Sequence, residues 1–102
     1  MALITNSIIA VVTAYCACTK CCGPKASGIT AAGTKPVAGR TVAGPRNYPL
    51  SSIARIGGKA YTIEDRTAKR FDGRFDIFFR THREALEFGI QTQRVQVIRR
   101  VQ

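Results

Sequence analysis

Short runs of strand-forming residues, each interrupted by glycine or proline, restrict this chain to folds built from many short strands. Val, Ile, Thr, Tyr and Phe recur in these runs, and nine glycines and four prolines punctuate the sequence. Branched and aromatic side chains suit a pleated sheet, whereas glycine and proline suit turns. The pattern predicts a mainly β protein with one helix at most. At 102 residues, the chain is predicted to form a single domain over residues 1–102, because it can bury only one modest core.

The same pattern predicts the order of the elements. The predicted strands are Ser7–Tyr15, Arg40–Ala43, Ile53–Ile56, Lys59–Asp65, Arg74–Phe79 and Thr92–Val101. Gly57-Gly58 predicts a tight hairpin turn between the third and fourth strands. Thr81 and Glu84 have the spacing of a capping box and predict the start of the helix, which Gly89 is expected to end.

The charge of the chain indicates an anionic partner. Sixteen basic and six acidic residues give a net charge of +10, which predicts attraction to a polyanion such as nucleic acid, anionic lipid or the acidic bacterial wall. The basic residues are scattered from Lys20 to Arg100, and no RNA-binding, helix-turn-helix or P-loop pattern accompanies them. Nucleic acid is therefore not expected as a partner.

An apolar run from Ile8 to Val12 resembles the core of a signal peptide. No basic segment precedes it, and no usual cleavage site clearly follows it. The run is also too short to span a bilayer. It is predicted to belong to the first strand, so no transmembrane segment is expected, and the chain is not expected to export itself.

Four cysteines, Cys16, Cys18, Cys21 and Cys22, stand within seven residues. Three states remain open: a tetrahedral zinc bound by four thiolates, one or two disulfides, or reduced thiols. Cysteine catalysis is not expected, because a thiol nucleophile needs a base. The sole histidine, His82, is predicted to be a solvated helix residue with no thiol partner.

Two of the six acids, Asp65 and Asp76, fall in predicted strands among aromatic and branched residues. Desolvation in such a place raises the pKa of a carboxyl group, as a general acid for cleaving a glycosidic bond requires. A structural ion pair with a neighbouring arginine is the alternative. Strand alternation puts Arg74 and Arg80 on the face of Asp76. An arginine there would either lower the pKa of Asp76 or hold a carboxylate of a substrate peptide.

Small residues surround Thr30 in the segment from Ser27 to Pro36. A phosphate-binding loop would require a helix after it, and Pro36 followed by Val37 offers none. The segment is predicted to be a loop or a short strand at the edge of a groove, with an ordinary connecting loop as the alternative.

Several pieces of the sequence, taken in order, resemble a known family. These pieces are Val12–Tyr15, Gly28–Ala31 with Gly33, Val42–Pro45 with Pro49-Leu50, Glu64-Asp65, Gly73–Phe79, His82–Gly89 and Arg94–Ile98. They are similar to the three-aspartate domain, a module of wall-remodelling proteins. It is found in the membrane-bound lytic transglycosylase A family and in stationary-phase cell-wall proteins. The resemblance covers about residues 11–99. It implies a mainly β fold, a six-stranded double-psi β-barrel with one short α-helix near the C-terminus.

The resemblance also implies a function. It points to a peptidoglycan lytic transglycosylase, which cleaves the β-1,4 bond between N-acetylmuramic acid and N-acetylglucosamine and closes a 1,6-anhydro ring without water. Asp76 matches the family's catalytic acid and base, and Asp65 matches the second aspartate, in the same groove. The residues expected to contact the substrate are Tyr15, Thr30, Arg66 and Arg74. No cofactor is required, although the cysteine cluster is a candidate for a structural zinc.

The implied partners are peptidoglycan glycan strands, and the net charge of +10 favours anionic wall polymers as well. The implied place of action is the bacterial cell wall. With no signal peptide expected in this chain, a phage-type lysin or another export route would deliver it. A non-catalytic wall-binding module is the alternative function, and a zinc-stapled module that binds nucleic acid is a third.

The sequence departs from the family at two places. The family's first aspartate falls at Gly44, which has no side chain. The glycine pair that usually follows the second aspartate is replaced by Arg66-Thr67-Ala68-Lys69. A narrower groove, a changed sugar preference or a loss of catalysis are the expected consequences.

Overall fold

Six strands dominate the computed structural model, which describes residues 2–17 and 28–101. The strands are β1 (Ala2–Tyr15), β2 (Thr41–Gly44), β3 (Ile53–Ile56), β4 (Lys59–Arg66), β5 (Phe75–Phe78) and β6 (Gln91–Val101). A 3₁₀ turn spans Lys69–Phe71, and the helix α1 spans His82–Phe88. The described part of the chain is therefore mainly β, as the sequence predicts.

The strands close into a barrel in the order β1-β5-β2-β4-β3-β6. The pairs β1–β5 and β2–β4 are parallel, and the other neighbours are antiparallel. The predicted fold class, a mainly β six-stranded barrel with a short helix near the C-terminus, is confirmed. The closed barrel is consistent with a double-psi arrangement.

Alternating side chains fill the interior of the barrel. The largest apolar side chains with no exposed surface are those of Val12, Val42, Ile63, Phe75, Val95 and Val97. In β6, the neighbouring Arg94 and Gln96 are exposed, as expected of a half-buried strand. Each buried Val, Ile or Phe stabilises the fold by about 1.5–3 kcal/mol relative to an exposed one, so this interior core holds the strands together.

The first strand is longer than the sequence predicts. It begins at Ala2 instead of Ser7, because β1 pairs with β6 without interruption from Ala2 opposite Val101 to Val12 opposite Gln91. The residues before Ser7 are mostly exposed, so their pattern carries no sign of burial. Backbone pairing with a distant strand, and not local hydrophobic periodicity, therefore sets where β1 begins.

The hairpin and the helix follow the predicted local chemistry. Gly57 and Gly58 join β3 to β4 with φ angles of 59° and 80°, which suit glycine in a tight hairpin turn. At the start of α1, the Thr81 side chain accepts a hydrogen bond from the backbone of Glu84, and the Glu84 side chain accepts one from the backbone of Thr81. Gly89 ends the helix at φ 71°. Both predictions are confirmed.

Two further sequence predictions concern the membrane and the cysteines. Within residues 2–17 and 28–101, the structure contains no helix long and apolar enough to cross a membrane. Of the four cysteines, Cys16 is described and buried. The positions 18, 21 and 22 lie outside the described residues, so the choice between zinc, disulfide and reduced thiols stays a prediction.

Candidate active site

Four adjacent strands carry one row of side chains on the face opposite the interior core. Thr13 of β1 is the register partner of Asp76 in β5. Ala43 of β2 pairs with Asp76 on one side and with Asp65 of β4 on the other. Register partners point to the same side of a sheet, and neighbouring strands lie about 4.8 Å apart. The two aspartates therefore flank the small side chain of Ala43.

A β-bulge brings Asp65 into this row. The pairing of β2 with β4 shifts between Val42 and Ala43, so that Ala43 pairs with Asp65 and Glu64 becomes the extra residue. The Glu64 carboxylate instead accepts a hydrogen bond from the Thr41 hydroxyl at 2.7 Å. Without the bulge, Glu64 and not Asp65 would be the register partner of Ala43, and its side chain would point to the same side as Asp76. The bulge thus selects which acid stands near Asp76.

Asp76 is half-buried and has an unusual proton affinity. Burial is the largest influence and raises the pKa of Asp76 to about 6. The negative charge of Asp65 raises the pKa further, whereas the hydrogen bond from Thr13 (Oγ1 to Oδ1, 2.9 Å) and the positive charge of Arg74 lower it. At such a pKa, roughly one tenth of the carboxyl groups are protonated at pH 7. Asp76 can therefore give and take a proton near neutral pH.

Asp65 accepts three hydrogen bonds from groups on three different segments. The Tyr15 hydroxyl donates to Oδ2 at 3.0 Å, and the backbone amides of Ala31 and Arg66 donate to Oδ1 at 3.0 and 2.9 Å. The Tyr15 ring packs edge-on against Phe78, with the ring centroids 5.4 Å apart. These contacts fix the position of the Asp65 carboxylate and of the tyrosine beside it.

A groove of about 420 Å³ opens over this part of the barrel. Its lining consists of Thr13, Ala14, Tyr15, Thr67, Ala68, Arg70, Phe71, Arg74 and Asp76. Of the predicted site residues, Asp76, Tyr15 and Arg74 thus lie in one groove. Asp65 is not among the lining residues, but its carboxylate accepts a hydrogen bond from Tyr15, which is one of them. The exposed Arg80 is not part of the lining either.

Two residues that were expected to contact the substrate are engaged with the chain itself. The Thr30 hydroxyl lies 2.7 Å from the Thr34 hydroxyl in a tight turn, and Thr30 is only 5% exposed. The Arg66 guanidinium donates to the carbonyl oxygens of Pro45 and Tyr48 at 2.7 and 2.8 Å. Neither residue lines the groove. The turn at Thr30 instead brings the Ala31 amide to Asp65, and none of the described residues of this segment lines the groove.

Gly44, which the resemblance aligns with a first aspartate, packs directly against a core side chain. A Cβ atom at Gly44 would lie 2.9 Å from Cδ1 and 3.0 Å from Cγ2 of Ile63. Ile63 is fully buried in the interior core and has no space to retreat into solvent. A side chain therefore cannot be added at Gly44 without moving Ile63.

Six of the nine groove residues are not predicted from the sequence, namely Thr13, Ala14, Thr67, Ala68, Arg70 and Phe71. Thr13 could have been found, because it lies two positions before Tyr15 on the same face of a strand. Arg70 and Phe71 lie at the 3₁₀ turn, where no periodic pattern exists to show which side chains face the groove. Only the folded position of this turn brings them opposite Asp76.

The expectation for His82 is wrong. His82 is half-buried, and its Nδ1 atom lies 3.7 Å from Sγ of Cys16, which is 2% exposed. The end of β1 therefore meets the start of α1, a contact between segments 66 residues apart that the helical pattern of His82 does not reveal. Neither residue lines the groove with Asp76.

A metal site is not apparent in the part of the chain that the structure covers. No group of three or more His, Cys, Asp or Glu side chains within residues 2–17 and 28–101 is arranged to hold a metal ion. A zinc site would need thiols from positions 18, 21 or 22, which lie outside that part. The groove itself offers carboxyl, hydroxyl and guanidinium groups.

No protein-family model and no curated protein matches the chain. Information on function therefore comes from the geometry of the groove and from the resemblance of the chain's sequence motifs to a known family.

Proposed function

We propose that this chain is a three-aspartate-type, double-psi barrel domain that acts as a peptidoglycan lytic transglycosylase. The observation that carries the proposal is Asp76, a half-buried carboxyl with a pKa raised to about 6 at the groove surface. An acid with this pKa is suited to both donating and accepting a proton near neutral pH. The row of Asp65, Ala43 and Asp76 supports the match to the family's second aspartate and catalytic residue.

The proposed reaction uses the same carboxyl group twice. Protonated Asp76 donates its proton to the oxygen that bridges N-acetylmuramic acid and N-acetylglucosamine, and the bond from C1 of the muramic sugar to this oxygen breaks. The ionised Asp76 then accepts the proton of the sugar's C6 hydroxyl as the C6 oxygen bonds to C1. A 1,6-anhydro ring closes, no water is consumed, and Asp76 regains its proton.

Neighbouring groups prepare Asp76 for these steps. The Thr13 hydroxyl holds one carboxyl oxygen at 2.9 Å and thereby orients the group. The charge of Asp65 raises the pKa of Asp76. Asp65 does not line the groove, so it would stabilise positive charge on the muramic sugar through space and not by contact. Tyr15 fixes Asp65 by its hydroxyl and is itself one of the residues that line the groove.

The reaction products test the proposal. Incubation with purified sacculi is expected to release muropeptides that end in 1,6-anhydro-N-acetylmuramic acid, detectable by mass spectrometry as products lacking the mass of one water. Reducing-end muropeptides of full mass would instead indicate hydrolysis. No released product at all, despite a folded protein, would contradict an enzymatic role.

A non-catalytic wall-binding module is the second candidate, and Gly44 is the observation that favours it. The first family acid is absent, and Ile63 occupies the space that its Cβ would need. A net charge of +10 also favours adhesion to an anionic wall. This candidate predicts that the protein sediments with sacculi and releases nothing.

The pH dependence of cleavage is expected to report the influence of Asp65 on Asp76. The first step needs protonated Asp76, so the rate should fall as pH rises through about 6. In Asp65→Asn, loss of the negative charge lowers the pKa of Asp76, and the fall should begin at lower pH. The measurement is kcat/KM for a soluble muropeptide oligomer from pH 4 to 8.

Glu64→Gln is the matched control for this shift. It removes one negative charge from the neighbouring residue, whose carboxylate faces Thr41 and Arg40 and is not among the influences on Asp76. Its pH profile should coincide with that of the wild type. An equal shift in both variants would mean that net charge, and not the position of Asp65, governs the proton affinity of Asp76.

A further inference from the structure

We propose that Arg70 and Arg74 form a carboxylate-binding subsite in the groove, and that this subsite selects muramic residues whose stem peptide carries free carboxylates. The inference rests on the proposed function, because it names a further feature of the same substrate. It goes beyond that function by assigning a charged recognition element to the wall of the groove beside the catalytic acid.

The two guanidinium groups are placed by one aromatic ring. The Cζ atoms of Arg70 and Arg74 lie 4.8 and 4.6 Å from the ring centroid of Phe71. All three residues line the groove together with Asp76, and Phe71 is 38% exposed. Stacking on an aromatic ring restricts a long side chain and leaves the edge of the guanidinium available to a ligand. The two positive charges are therefore preorganised on the groove side of the loop.

The loop that carries these residues is fastened to the segment that follows β2. Arg46 donates from its backbone amide and from Nη1 to Oδ1 of Asp72, at 3.0 and 3.3 Å, and from Nη2 to the carbonyl of Thr67 at 2.9 Å. The Arg74 amide donates to the carbonyl of Phe71 at 3.1 Å. A fastened loop loses little conformational entropy when a ligand binds, which favours recognition over random attraction.

The protein's own acids do not neutralise this pair. The salt bridges of the described residues are Arg40–Glu64, Arg46–Asp72 and Arg83–Glu87. The remaining acids accept hydrogen bonds elsewhere: Asp65 from Tyr15, Asp76 from Thr13 and Glu84 from Thr81. The charge of Arg74 is the weakest of the four influences on the pKa of Asp76. Within the described ranges, Arg70 and Arg74 thus face the groove without an ion-pair partner.

The chemistry of the substrate indicates what these cations meet. A sugar backbone of N-acetylated residues is neutral, and the carboxylates of a peptidoglycan strand belong to the stem peptide on the muramic sugar. If Asp76 reaches the bridging oxygen at C1 of that sugar, the peptide lies in the same groove. Guanidinium groups bind carboxylates through paired, charge-assisted hydrogen bonds. A peptide carboxylate is therefore the anion that fits the position of Arg70 and Arg74.

The test uses two soluble glycan oligomers that differ only in their stem peptides, one with free carboxylates and one with these groups converted to methylamides. Binding is measured by calorimetry and cleavage by product analysis. The wild type is expected to bind the free-carboxylate oligomer about tenfold to hundredfold more tightly. The double variant Arg70→Gln/Arg74→Gln should bind both oligomers equally, at the weaker level.

Arg83→Gln/Arg100→Gln is the matched control, because it removes two positive charges from exposed positions outside the groove. This control should keep the preference of the wild type. A preference that falls equally in both double variants would overturn the subsite and indicate attraction by net charge. Poly(glycerol phosphate) provides a further test. If it displaces the free-carboxylate oligomer at concentrations at which free stem peptide does not, Arg70 and Arg74 form a phosphate site, and the carboxylate subsite is overturned.

The same measurements separate failure of this inference from failure of the proposed function. Anhydro products formed equally from both oligomers would reject the subsite and leave the transglycosylase intact. Preferential binding of the free-carboxylate oligomer without any cleavage would reject the enzyme, and would leave Arg70 and Arg74 as the recognition element of a binding module.

Discussion

Asp76→Asn is expected to reduce release of anhydro-muropeptides by about 10²–10⁴-fold, the range typical for loss of a general acid and base. Asparagine has nearly the same shape and can still accept the hydrogen bond that Thr13 donates. It cannot donate a proton to the bridging oxygen or accept one from the C6 hydroxyl. The measurement is the initial rate of product formation from sacculi at pH 5.5, where a carboxyl with a pKa of about 6 is mostly protonated.

The same substitution is expected to stabilise the fold at neutral pH. The pKa of Asp76 is raised to about 6 from an ordinary value of 3.8, so between these values the folded chain binds more protons than the unfolded chain. The free energy of unfolding therefore decreases as pH rises through this window. An asparagine side chain carries no charge to desolvate, and we expect the substitution to add about 1–2 kcal/mol at pH 7, after allowance for solvent screening.

Urea denaturation at pH 7 and at pH 3.5 measures this gain, which should disappear at the lower pH. Glu87→Gln is the control, because Glu87 is 71% exposed on α1 and lies outside the groove. It should leave both the rate and the pH dependence of stability unchanged. A variant at Asp76 that cleaves like the wild type would remove the basis of the proposed mechanism. If Asp76→Asn instead lowered the free energy of unfolding at pH 7, Asp76 would not be a buried carboxyl group with a raised pKa.

Gly44→Asp, which would introduce the aspartate that the proposed family assignment places at this position, is expected to damage the barrel. The added Cβ would approach Cδ1 of Ile63 to 2.9 Å, and Ile63 is enclosed by the interior core. Overpacking a filled core costs about 1–3 kcal/mol, and burying a carboxylate adds to that. We expect a loss of about 3 kcal/mol or more in the free energy of unfolding, measured by urea denaturation, and no gain in cleavage rate.

A double-mutant cycle isolates the steric part of this effect. Gly44→Ala adds only the Cβ, and Ile63→Val removes the Cδ1 methyl that lies nearest to it. Alone, Ile63→Val should cost about 0.5–1.5 kcal/mol. In the Gly44→Ala background, Ile63→Val should destabilise the fold less than it does in the wild type, with a coupling energy of about 1 kcal/mol. Strictly additive costs would show that the contact with Ile63 is not what excludes a side chain at Gly44.

Local chemistry explains the parts of the fold that the sequence predicts well. The Thr81–Glu84 capping box and the Gly57-Gly58 turn depend on residues a few positions apart, and both are present as expected. The alternation of Val95 and Val97 with exposed neighbours likewise reports burial directly. The extension of β1 to Ala2 has no such signal, because it depends on pairing with β6 at the other end of the chain.

In the candidate site, too, some features follow from neighbouring residues and others from contacts between distant segments. Asp65 and Asp76 could be selected from the sequence, since acids among branched and aromatic residues are unusual and their surroundings resemble a known motif. Thr30 and Arg66 were expected at the substrate, but their side chains bind the protein's own hydroxyl and carbonyl groups. Hydrogen-bond partners distant along the chain decide such roles, and no local pattern encodes them.

The order of residues alone establishes a mainly β chain with a net charge of +10, a capped helix, a glycine hairpin and two acids in strands, because these follow from composition and from neighbours a few positions apart. The tertiary structure decides the rest. It places Asp65 and Asp76 on either side of Ala43 through a bulge, buries Asp76 enough to raise its pKa, and fills the space at Gly44 with Ile63. Register, desolvation and packing arise between segments far apart in sequence, and only the closed barrel brings those segments together.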